Sequence, residues 1–183
     1  MHPSESESPQ ILSSLIAKKI TPLILTSRGY ELVFPTLREL TKNYPGLIDK
    51  EKIFYLNCFV PYDSKDLSKF GFSKKESEAA TLREARNSCY FENLILGSGN
   101  SKPLTLMAYN LMKKIKPKAV IFVDDKINHI EDFAKWTAHQ KTSFVGLRYG
   151  HEDEKVKAFH AADKTTENNQ LKKFLELKSE LFK

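Results

Sequence analysis

Two adjacent carboxylates, Asp124 and Asp125, close an unbroken apolar run, Ala119-Val120-Ile121-Phe122-Val123. Like charges at the end of a buried strand repel unless something positive holds them together. A pair of hard carboxylate oxygens suits Mg²⁺, which takes one or two protein carboxylates and keeps several waters. Upstream, "LGSGNS" leads into Lys102, a mobile point charge able to neutralise an anion. Further upstream, "LILTSRG" ends an apolar run with Thr26, Ser27 and Arg28, which supply hydroxyls, backbone N–H groups and a guanidinium suited to phosphate oxygens. Each cluster also has a plain reading: Thr26 to Arg28 as a strand end running into a helix cap, Lys102 as a surface lysine, and the Asp pair as a cap for the helix starting at Lys126.

These clusters need a scaffold that brings distant positions to one edge. "ITPLILT", "KIFYLNCF", "KAVIFV" and "TSFVGLRYG" read as strands, and "SCYFENLILG" as a hairpin turning at Glu92-Asn93. Between them, apolar spacing predicts helices: Ile11, Leu12, Leu15 and Ile16; Leu32, Val33, Leu37 and Leu40 with Pro35 in the first turn; Leu104, Met107, Ala108 and Leu111 after Ser101; Ile127, Ile130, Phe133, Ala134 and Ala138. The alternation predicts an α/β fold, a Rossmann-like parallel sheet with helices on both faces, whose strand carboxyl ends open into one ligand crevice. Residues 1–8 are expected to be a disordered leader and 9–183 a single domain. Within it, 61–87 is a polar insertion or small cap-like segment with a short helix in "KKESEAATLREAR", and 168–183 a C-terminal amphipathic helix.

Lysine and arginine number 29 against 23 aspartates and glutamates, a formal net charge of +6, which favours phosphorylated ligands but is too modest to indicate nucleic acid. No apolar run is long enough for a membrane span and the polar N-terminus is no secretion signal, so the chain as written is expected in the cytoplasm. Cys58 and Cys89 lack metal-ligand spacing and are expected to be buried free thiols. His129, His151 and His160 sit among Lys and Glu at irregular spacing and are expected on the surface.

A hydroxyl, a lysine and an acidic pair on successive strand ends resemble the haloacid dehalogenase-like phosphatase superfamily over residues 9 to 150. "LTSRG" with "SGNSK" also looks like a bacterial family of that kind with unknown function. The resemblance implies phosphate-binding roles for Thr26, with Ser27 and Arg28 beside it, and for Lys102, and a Mg²⁺ site at Asp124 and Asp125. It also implies a first motif, Asp-x-Asp, whose first acid forms an aspartyl-phosphate. No aspartate precedes Thr26. The expectation is therefore a truncated or degenerate core lacking its central strand and catalytically inactive alone, with an upstream part free to carry an export signal. The missing strand could come from a partner or a homo-oligomer. A different reading is a phosphate-ligand or protein-binding module without catalysis. A receiver-like domain ranks last, because there the acids precede the hydroxyl and lysine.

Overall fold

In a computed structural model, the described residues are 7–18, 20, 22–49, 55–150, 153–162, 165, 169, 172 and 173. They form a mixed α/β architecture in two compact units, residues 1–149 and 150–183. The first unit contains α1 (Ser8–Ala17), β1 (Ile24–Thr26), α2 (Val33–Asn43), β2 (Asn57–Phe59), α3 (Lys74–Ala79), β3 (Ser88–Phe91), β4 (Leu94–Leu96), α4 (Lys102–Met112), β5 (Ala119–Asp124), α5 (Ile127–His139) and β6 (Ser143–Arg148). The second contains α6, Asp153–Ala161, with Asp153 and Glu154 in its first turn where the helix dipole favours acids. The expected leader lies outside the described residues up to position 6, and α1 already begins at Ser8. The expected helix over 168–183 lies outside them almost entirely.

The strands form two sheets where one was expected. Four make a mixed sheet in the order β1-β4-β3-β2, in which only β1 and β4 are parallel; β5 and β6 pair in parallel as a separate two-stranded sheet. The reason lies in the connections. Glu92 and Asn93 join β3 to β4 as a tight hairpin, and such a turn can only return the chain antiparallel. β1 and β5 each have a strand on one side only among the described residues, so their sheets do not merge.

Two apolar clusters hold the first unit. One packs Val33 and Leu37 of α2 with Leu47, Ile48, Phe91, Leu94 and Leu96. The other joins α4, through Leu104 and Ala108, to Trp136 of α5 and to Tyr62, Leu67 and Phe70. The last three belong to the 61–87 segment, which thus contributes side chains to a core. Its helix is shorter than its sequence suggested, because α3 stops at Ala79 and Thr81 turns left-handed at φ 44°. A capping box starts it: Ser73 accepts from the Glu76 amide while Glu76 accepts from the Ser73 amide.

Along β5 the side chains alternate. Phe122 meets Phe133 of α5, ring centroids 4.0 Å apart. Ile121 and Val123, with Val145 and Leu147 of β6, are exposed. α5 buries Ile130, Phe133, Trp136 and Thr137, so its inner face lies nearer Trp136 than the expected Ala134 and Ala138, which are exposed with Ile127. Gly146 permits that contact, since a Cβ there would fall 2.3 Å from Ile130 Cγ2.

The cysteines are corrected. β2 and β3 pair antiparallel with Cys58 directly opposite Cys89, and their sulfurs form a disulfide. Register, which spacing along the chain cannot supply, converts a separation of 31 residues into adjacent Cβ atoms.

Candidate functional site

Parallel strands β1 and β4 end side by side, and Gly97 and Ser98 extend the contact: the Gly97 amide donates to Thr26 O at 2.8 Å and the Ser98 amide to Arg28 O at 3.1 Å. Ser98 and Gly99 both adopt positive φ, 52° and 68°, which turns the chain sharply into α4 at Lys102. Glycine serves twice at position 99. It takes the left-handed conformation without steric cost, and it leaves room for Arg83, whose Nη2 would lie 2.7 Å from an added Cβ. Arg83 Nη2 donates to Ser98 O at 3.2 Å, tying the 61–87 segment to the turn. Asn100 makes a second tie, donating to Arg86 O and Ser88 Oγ and accepting from the Arg86 amide.

From the other sheet, β5 delivers Asp124 to the same place. Its side chain is 4% exposed, and Lys102 Nζ donates to Oδ2 at 2.5 Å. The Lys126 amide donates to Oδ1 at 2.9 Å, and His129 Nδ1 lies 2.9 Å from the same oxygen. Burial by itself would raise this carboxyl. Hydrogen bonds from Lys102, the Lys126 amide and His129, with the Lys102 charge, outweigh it and bring the pKa down to about 2. Asp124 thus anchors a cation and an imidazole and closes the turn that leads into α5.

Beside this anchor lies a cavity of about 370 Å³. Lys102, Arg83 and Lys135 line it as cations against one acid, Asp132, and Ser27, Ser101 and His129 add polar atoms. Of the residues singled out in the sequence, Ser27 and Lys102 line the cavity, Asp124 stands behind Lys102, and Thr26, Arg28 and Asp125 are not part of the lining. Thr26 Oγ1 accepts from the Arg28 amide at 3.2 Å, closing its own turn. Arg28 points to α2, donating to Glu39 Oε2 at 2.8 Å and Thr36 Oγ1 at 3.2 Å, and lines a different groove with Arg38 and Lys42. Asp125 is exposed.

As arranged, Asp124 and Asp125 do not fit Mg²⁺. Both Asp124 oxygens are occupied, one by an ammonium, and a second cation would have to displace it. Among the described residues no group of three His, Cys, Asp or Glu side chains is placed to hold a metal. His129 and Arg83 were missed as site residues. His129 stands five positions after Asp124, where one helical turn returns a side chain to the strand end, a readable signal. Arg83 carried none, since its place depends on how an irregular segment folds.

Among the described residues no helix is long and apolar enough to cross a membrane. No curated protein and no solved structure matches the chain. A family model does match, and it is not that of a haloacid dehalogenase-like family, which overturns the resemblance drawn from Thr26, Lys102 and the Asp pair. The physical reason is that so few residues, with local tasks such as closing a turn or pairing with a neighbouring charge, do not carry a superfamily assignment. The matching model covers residues 1–180 and is described as "Protein of unknown function (DUF2608)", and the chain belongs to that family.

Proposed function

We propose that the chain is a binding module for an anion of phosphate type, carried on a small molecule, and that it holds this ligand without transforming it. The observation that supports the reading most is the buried Asp124, which fixes Lys102 and His129 at the wall of a polar cavity whose lining has three cations and one acid. A prearranged ammonium gains more from an anion than a free one does, because its side-chain entropy is already spent. Arg83, planar and multidentate, is suited to two phosphate oxygens, and Ser27 and Ser101 to a third. Binding without turnover follows from Asp124 itself: with every oxygen engaged by Lys102, His129 and the Lys126 amide, it is not available as a nucleophile.

Calorimetric titration with inorganic phosphate and with sugar and nucleoside monophosphates tests this. Saturable binding that Lys102→Met weakens by about tenfold or more is expected, the size of a lost charged hydrogen bond. Binding that is absent, or indifferent to Lys102→Met, would sink the reading.

A second reading, a protein-interaction module, draws on the exposed aliphatic face of β5 and β6, where Ile121 is 68% and Val145 51% exposed. Parallel strands are ordinarily covered on both faces. Sedimentation across a concentration series tests it, since self-association removed by Ile121→Ser with Val145→Ser would favour it.

A further inference from the structure

A second concavity, of about 320 Å³, lies between α4, α5 and the start of β5. Its floor is apolar: Phe70, Met107, Val120, Phe133 and Trp136. At its edge Leu111 and Ile115 remain 54% and 46% exposed, although Leu111 has the spacing of an inward residue. Its rim carries Lys69, Lys116, Lys118 and Lys141, and no aspartate or glutamate lines it. An apolar floor under an all-cationic rim complements a ligand with an apolar body and an anionic head. The volume falls at the lower end of the range for small-molecule sites.

The lysines could instead be answering the carbonyl ends of α4 and α5, which terminate here. Those ends are already closed by backbone. After α4 the Lys114 amide donates to Leu111 O and the Ile115 amide to Asn110 O; after α5 the Lys141 amide donates to Ala138 O and the Thr142 amide to Thr137 O. Lys141 moreover sits at φ 54°, the left-handed position past a helix end where glycine costs less. A lysine there costs some backbone strain, as Lys114 does past α4 at φ 55°.

We propose that this groove binds an amphipathic anion, of which a medium-chain carboxylate is the simplest, with its chain on the Phe133–Trp136 floor and its carboxylate among Lys116, Lys118 and Lys141. The site is distinct from the anion cavity at Lys102, though Pro103 and Trp136 line both.

Trp136 is the sole tryptophan and serves as the probe. Dodecanoate, dodecanol and dodecyltrimethylammonium are titrated below their aggregation concentrations against its fluorescence. Expected are a saturable change with dodecanoate and at least tenfold weaker responses to the other two. The Lys116→Glu, Lys118→Glu double variant should weaken dodecanoate about tenfold, while saturating inorganic phosphate leaves its affinity unchanged. Lys141→Gly separates binding from folding, because relief of the positive φ should raise the melting temperature while dodecanoate affinity falls. Equal binding of the three head groups, no saturation, full affinity in the Lys116/Lys118 or Lys141 variants, or displacement by phosphate would each overturn the proposal.

Discussion

Asp124 is held ionised against its own burial, and this makes the stability of the fold depend on acid. Its pKa falls from 3.8 to about 2 on folding, so its contribution is fully present above pH 4 and is lost as the pH drops through the folded value. A shift of that size corresponds to about 2 kcal/mol. Asp124→Asn should therefore unfold about 2 kcal/mol more easily at pH 7, and the gap to the wild type should close between pH 4 and pH 2, as urea denaturation at several pH values would measure. The same carboxylate makes Mg²⁺ binding testable. Millimolar Mg²⁺ should leave the melting temperature of the wild type unchanged, because Lys102 occupies Oδ2, and should raise it in Lys102→Met, where that oxygen is released. At this scale the sequence was half legible. The apolar run ending in Asp124 and the turn ending in Lys102 marked two residues that do meet. The direction in which Arg28 and Thr26 point was not legible, since both are captured by neighbours, Glu39 and the Arg28 amide, that pattern alone does not rank.

Elements turn these residues into a site, and the 61–87 segment shows how. It begins three residues after Cys58 and ends two before Cys89, so the disulfide closes the loop that brings Tyr62, Thr81 and Arg83 to the cavity wall. β2, at the edge of its sheet, has only three residues and would hold that loop weakly by hydrogen bonds alone. For a loop of 31 residues the chain-entropy model gives a stabilisation of about 3–4 kcal/mol. Reduction, or Cys58→Ser with Cys89→Ser, should lower unfolding stability by up to that amount. Faster amide exchange should concentrate in 61–87, with weaker phosphate binding through Arg83; uniform exchange across the chain would count against this account. Strands and helices were mostly legible from apolar period, but not their assembly. β5 has apolar residues on both faces and reads as doubly covered, whereas Ile121 and Val123 are exposed; sheet order depends on pairings between distant segments that no local pattern encodes.

For the molecule as a whole, the disulfide bears on where the chain can be stable. Disulfides persist in oxidising surroundings and are reduced in most cytosols, and a cytoplasmic chain with free thiols was the expectation from composition. The Cys58–Cys89 bond makes the two settings distinguishable: the same polypeptide should differ in stability by up to about 3–4 kcal/mol according to where it is made, by the loop-closure estimate. Thiol titration of unfolded protein should find no reactive cysteine after production in an oxidising compartment and two after production in a reducing one. Exposed Cys58 gives a reductant its point of attack, while Cys89 is fully buried. If the fold instead forms equally well with both thiols free, the two preparations will melt together. In that case the hairpin of β3 and β4, with the Asn100 ties from the turn before α4, holds the cavity wall without help from the sulfurs.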